Sequence, residues 1–321
     1  FAERARLQIV LPPGLKDASG RPLANAGSFP LQVATGDAPP IAKFAAAPFG
    51  VIEHGPQAML PVTLRHVQGD LRPQAAGGQV RLRRIEGDAE VLAWYRKVQL
   101  HHESQLPAKA LGYPEKDWYE WVEEVDDEGR RKRQRVERFV GTREVSLLAG
   151  DAQARRMALP QLEGGDPRPF EVVGIPLAEP GYHVVEVESR RLGESLLDRK
   201  APMYVRTGVL VTNLGVHFKQ GRENAVVWVT TLDRGRPVAD AEVAINDCRG
   251  GRVWAGRTNA DGVATMAQPL PREATRCQGA SALMVSARKA DSRGVVDMAF
   301  VLGDWDRGIE SWRFHHPTSR A

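Results

Sequence analysis

Short runs of alternating apolar and polar residues dominate the chain. In Leu60-Pro61-Val62-Thr63-Leu64-Arg65-His66-Val67, Val62 and Leu64 alternate with Thr63 and Arg65, the period of a half-buried strand. Val185 and Val187 alternate with Glu186 and Glu188 in the same way, and Ala241, Val243 and Ile245 repeat it. Turn chemistry separates the runs at Pro12-Pro13-Gly14, Gly20-Arg21-Pro22, Gly235-Arg236-Pro237 and Asn259-Ala260-Asp261-Gly262, where Pro fixes φ and Gly accepts a positive one. The pattern predicts strands over 7–11, 29–35, 41–45, 50–53, 59–66, 79–85, 170–174 and 181–189. A denser series follows over 209–212, 216–218, 225–230, 241–245, 253–254, 262–266, 283–287 and 295–302.

Residues 87–165 break this rhythm. Asp88 is placed to cap a helix whose Val91, Leu92, Tyr95 and Val98 fall at helical spacing. A second short helix is predicted over 106–111, then a hairpin over 117–141, then strands over 143–148 and 155–159. The expected fold is all-β: tandem Ig-like β-sandwich domains, the middle one carrying a helix-and-hairpin insertion. Residues 1–38 read as the C-terminal part of a truncated Ig-like domain, since "LPPGLKDASGRPLA" and "SFPLQVATGD" resemble the final hairpin of bacterial Ig-like domains. The expected middle domain is 39–205, with its insertion at about 87–165, and the last is 206–321. Ala38-Pro39-Pro40 and Lys200-Ala201-Pro202-Met203 are the expected linkers.

Composition narrows the functional classes. The 321 residues are 42% hydrophobic, enough for real cores, and 31 Gly with 22 Pro suit many turns. The 44 Lys and Arg nearly balance 40 Asp and Glu, for a net charge of +4. That is a mixed solvated surface and not a nucleic-acid footprint. No apolar run is long enough to span a bilayer as a helix. The abrupt start at Phe1 is expected to be an internal point of a longer protein. No nucleophile elbow, zinc-protease motif, P-loop or dinucleotide fingerprint occurs. No enzyme and no cofactor is expected, although an envelope hydrolase with Ig-like spacers would need only paired carboxylates.

Some residues stand out against this background. Arg130, Arg131, Lys132 and Arg133 open the most basic run, which continues through Gln134 to Arg135. Glu120, Glu123, Glu124, Asp126, Asp127 and Glu128 lie just across the expected turn. Folding back sets basic strand against acidic strand, with cross-strand ion pairs of about 0.2–1 kcal/mol each; contact with a partner protein is the other reading. Trp118, Tyr119 and Trp121 are dense for a hairpin. They either dock it on the parent sandwich or form an exposed patch for a partner. His101-His102 and His315-His316 read as surface histidines, because neighbours on a strand face opposite ways. Cys248 and Cys277 lie 29 residues apart. A disulfide between them would stabilise by about 3 kcal/mol; two buried thiols are the alternative, and a zinc site lacks ligands.

The string "FEVVGIPLAEPGYHVVEVESRRLGESLL" runs into "APMYVRTGVLVTNLGVHFKQGRENAVVWVTTLDRGRPVADAEVAINDC" and ends in "TNADGVAT" and "FVLGDWDRGIESWRF". It resembles the macroglobulin domains of bacterial α2-macroglobulins over about 170–314. The arrangement, an Ig-like tail before two macroglobulin-like units, is similar to the N-terminal half of such a protein, and within the family it resembles the Pseudomonas MagD type. The resemblance implies tandem Ig-like/macroglobulin sandwiches in the scaffold of a broad-spectrum protease trap, a protein that closes round a protease after its bait is cut. It implies proteases and other domains of the same chain as partners, and a periplasmic location, with any membrane anchor outside this segment. Neither cysteine matches the family's thioester motif: Cys248 sits in Asp-Cys-Arg-Gly and Cys277 in Arg-Cys-Gln-Gly. A structural or adhesive module binding other envelope proteins is the competing expectation.

Overall fold

The computed structural model of the chain describes residues 2–67, 80–125, 129–159, 170–197, 199–271 and 283–303. The chain divides into two units after Pro40. In the first, β1 (Arg6–Ile9) and β2 (Leu31–Ala34) pair antiparallel, Arg6 opposite Ala34. None of its described residues is buried. Its order is local: the Asp17 carboxylate accepts the backbone N–H groups of Ser19 and Arg21, both at 2.9 Å.

The second unit begins with a β-sandwich. One sheet joins β3 (Ile41–Phe44), β5 (Met59–Arg65) and β12 (Glu171–Pro176). The other orders β11 (Arg155–Met157), β6 (Val80–Ile85), β13 (Gly181–Ser189), β14 (Met203–Thr212) and β4 (Phe49–Glu53), with β4 parallel to β14. Alternation decides the faces. Val62, Leu64, Val173 and Ile175 meet Val80, Leu82, Val185, Val187, Val209 and Val211 between the sheets.

The five-stranded sheet is covered on both sides, so β13 and β14 are buried almost throughout. Its second face is divided along the strands. At one end Ile85, Tyr182, Val184 and Leu210 enter a second apolar core. At the other end stand Arg81, Glu186 and Arg206, which share a face because they are cross-strand partners. The insertion lies over this face. It contains α1 (Asp88–Leu100), β7 (Gln105–Pro107) paired with β10 (Phe139–Gly141), and a ribbon of β8 (Tyr119–Val125) and β9 (Arg131–Glu137). Two expectations are corrected here. Residues 105–107 form a strand, and only the turn after Pro107 is helical, with the Leu111 N–H on the Pro107 carbonyl at 3.3 Å. Instead of a strand after Gly141, a 3-10 turn spans Thr142–Glu144.

A second helix, α2 (Arg190–Leu196), follows β13. Ser189 Oγ caps it, accepting the Leu192 N–H at 3.1 Å. The segment expected as a linker, 200–203, is packed. A Cβ on Gly193 would fall 1.6 Å from the Ala201 carbonyl oxygen, and Met203 already opens β14. Because β14 runs unbroken to Thr212, residues 206–212 belong to the first sandwich.

The next sandwich starts at Leu214. It pairs β15 (Leu214–Gln220), β16 (Ala225–Thr231) and β19 (Val263–Met266) against β18 (Arg252–Arg257), β17 (Glu242–Asp247), β20 (Leu283–Ala290) and β21 (Val296–Leu302). Val227, Val229, Val243, Ile245 and Val285 lie in its core. The Asn259–Gly262 turn closes with the Gly262 N–H on the Asn259 carbonyl at 3.0 Å. Gly262 has φ +74° and sits against the Val229 carbonyl, where a side chain would collide.

Candidate functional site

Two buried polar clasps decide how the second unit is assembled. The first pins the insertion to the five-stranded sheet. Glu186 has no exposed surface, and its carboxylate accepts the Leu147 N–H at 2.8 Å, the Leu148 N–H at 3.4 Å and the Ser146 hydroxyl. Arg206 lies 3.3 Å from the same carboxylate. It donates to three carbonyls: His101 at 2.9 Å, Thr142 at 3.0 Å and Val145 at 2.6 Å. Arg81 bridges to Glu188 at 2.7 Å. The loop ends on both sides of the ribbon are therefore tied to sheet residues by charge-assisted bonds, about twice as strong as neutral ones. Burial pulls the Arg206 pKa down and Glu186 pushes it back up, and a guanidinium keeps its charge throughout.

The second clasp joins the two sandwiches through α1. Asp88, the first residue of that helix, is buried. It accepts from Arg288 at 2.5 Å, Ser286 at 2.8 Å and Asn246 at 2.9 Å, all on the four-stranded sheet of the second sandwich. Burial raises the Asp88 pKa, but Arg288, Ser286 and Asn246 outweigh it and hold the carboxyl below its ordinary value. Beside this clasp, Thr212 Oγ1 and the Asn213 N–H donate to Asp297 at 2.6 and 2.8 Å. Arg96 donates to the Cys248 carbonyl.

Between these bonds the two cores merge. Phe49 lies 5.4 Å from Tyr95 and 5.6 Å from Phe300, and Tyr182 lies 6.0 Å from Phe300, within the range where aromatic pairs attract. Burial, with Tyr95 nearby, pushes the Tyr182 hydroxyl far above the usual phenol range. A cleft of about 570 Å³ opens near this joint between Arg84, Glu179, Pro180, Arg288, Val296 and Met298. Its cations are engaged: Arg84 donates to the Pro180 carbonyl at 3.0 Å, and Arg288 holds Asp88. Among the described residues no cluster of His, Cys, Asp and Glu could hold a metal.

The residues picked out in the sequence are distributed differently. Trp118 is half-buried; its Nε1 donates to the Tyr113 carbonyl at 2.7 Å, and Lys109 lies over its ring at 4.8 Å. Tyr119 and Trp121 stay exposed, at 46% and 59%. Arg133 stands opposite Glu123, Lys132 opposite Glu124 and Arg131 opposite Val125. Arg130 precedes β9, and Asp126, Asp127 and Glu128 lie outside the described residues. Cys248 sits in the turn after β17, while Cys277 lies outside the described residues, and so does the expected pairing. His101 and His102 are half-buried at the end of α1, and His315-His316 lie outside the described residues.

The sequence marks Asp88 only as a helix cap, and no motif in it marks Glu186, Arg206 or Arg288 as buried. Glu186 alternates with valines and reads as solvent-facing, because nothing local announces the insertion above it. Arg206 left the clearer trace, as the lone charge in Met-Tyr-Val-Arg-Thr-Gly-Val-Leu-Val-Thr.

Two Ig-type sandwiches joined through a shared core, a wedged helix and buried ionic clasps make this a nearly all-β protein. Residues 211–321, the stretch that holds the second sandwich, match the family model of the bacterial alpha-2-macroglobulin MG3 domain. No curated protein sequence matches the chain. Among solved structures, it is similar to native alpha-2-macroglobulin from Escherichia coli spanning domains MG0-NIE-MG1: 14% identity, 85% of this chain and 67% of that one, TM-score 0.40. A structure spanning NIE-MG1 of the same protein gives 12% identity, 82% and 97% coverage, and TM-score 0.43. Against the cryo-EM reconstruction of its native conformation, identity is 11%, coverage is 84% of this chain and 15% of that one, and the TM-score is 0.19.

Proposed function

We propose that this chain is scaffold from a bacterial alpha-2-macroglobulin that traps proteases, and that it makes and breaks no bonds itself. The family match over 211–321 carries the reading. The packing supports a mechanical role: the clasps and merged core join the two sandwiches into one body that moves as a unit when a bait elsewhere is cut. On this reading the partners are target proteases and the protein's other domains, the place is the periplasm, and any membrane anchor lies elsewhere in the protein. A Cys248–Cys277 disulfide fits that oxidising compartment. Intact mass before and after reduction with alkylation tests it; two freely alkylated thiols in the unreduced protein would discard it.

The deciding experiment incubates the full-length protein with several unrelated proteases. A trap is cut in one region, becomes compact by scattering, and leaves the protease active on small peptides but blocked on large proteins. Scattered degradation with no shielding would leave the second reading, a module that binds other envelope polypeptides. The exposed aromatic ribbon is the observation that favours it.

A further inference from the structure

The ribbon is a sheet of its own: among the described residues β8 and β9 have no third strand. Each strand therefore turns one row of backbone groups outward, a template for further pairing. The side chains distinguish the two edges. Arg131, Arg133 and Arg135 share one face of β9, opposite Val125, Glu123 and Trp121. Three guanidinium groups thus have one carboxylate, Glu123, among their direct cross-strand partners, and Arg131 approaches it only to 4.0 Å. Arg133 lies over Trp121 at 5.3 Å and Arg135 over Tyr119 at 4.3 Å. Ring faces orient cations without neutralising them. β8, in contrast, carries Glu120, Glu123 and Glu124.

We infer that the outer edge of β9 takes up an extended acidic segment of another polypeptide as a third strand. Its carboxylates recur at every second residue. Side chains two apart share a face, which places them level with Arg131, Arg133 and Arg135. Backbone hydrogen bonds supply the binding, and the arginines select this edge over the acidic one. A two-stranded ribbon is marginal in water and a third strand consolidates it. None of this depends on protease trapping, so the two readings fail separately.

The test uses the whole chain and a labelled peptide of about nine residues with alternating Glu and Thr. Control peptides carry Lys for Glu, or a central Pro at unchanged charge. The acidic peptide is expected to bind and to slow amide exchange in 131–137, with both controls at least about ten-fold weaker. Equal binding of the Pro peptide, protection elsewhere on the chain, or no binding of the acidic peptide would overturn the proposal. The chain with Arg131→Gln, Arg133→Gln and Arg135→Gln is expected to lose about ten-fold in affinity while exchange in β13 stays unchanged; retained affinity would also overturn it. If that variant loses the ribbon itself, the peptide comparison on the unaltered chain decides.

Discussion

Arg206 and Glu186 carry a stake out of proportion to their number. Each is buried, and each holds parts of the insertion that the chain itself leaves unpartnered. Removing one member of a buried pair strands the other in a place without water. Arg206→Met is expected to lower the stability of the second unit by about 3–5 kcal/mol in urea unfolding. Arg206→Lys is expected to recover only part, because an ammonium does not reproduce the fork that reaches three carbonyls. Asp88 adds a pH dependence. Its folded pKa lies below its unfolded value, so its contribution is complete above about pH 4 and fades as pH falls through the folded value. The stability gap between the unaltered chain and Asp88→Asn is expected to be about 2 kcal/mol at pH 7. It is expected to shrink toward pH 2.5; a gap that is constant across that range would show that the clasp is not ionic. In the sequence Glu186 looked like any outward strand residue, because what buries it lies 38 to 40 positions away in the chain.

Elements were legible where their own side chains decided them. β5, β13 and β16 follow the alternation that predicts them, and α1 follows its helical spacing. The failures fall where tertiary pairing overrode local preference. Gln105-Leu106-Pro107 became a strand because Phe139–Gly141 came alongside. α2 went unread because a helix of seven residues is too short for a clear period. The β8–β9 ribbon is the opposite case: its pairing was visible in the opposed charges, yet it buries almost nothing. Amides of 119–125 and 131–137 are therefore expected to exchange orders of magnitude faster than those of β13, measured by hydrogen exchange at neutral pH. Equal protection would mean that something already covers the ribbon.

At the scale of the molecule, the notable result is the joint between the sandwiches. The sequence places a linker at 200–203. That segment packs against α2, and the passage between the sandwiches falls at 212–214, the far end of a continuous β14. The aromatic cluster and the Asp88 clasp join the sandwiches at that far end. Interfaces with a large apolar core do not behave as loose domain contacts. Residues 41–303 are expected to unfold in one calorimetric transition, with equal calorimetric and van't Hoff enthalpies. Two separable transitions would restore the picture of independent sandwiches.

The sequence alone determined the all-β class, most strands, the first helix, the ribbon and the family resemblance over about 170–314, since each is written in periodicity, turn residues or contiguous motif. Only the tertiary structure decided which charged residues are buried, where one sandwich ends and the next begins, and which aromatic residues remain exposed. The reason is physical: a side chain's burial depends on what distant chain segments cover it, and a local pattern records the strand but not its neighbour.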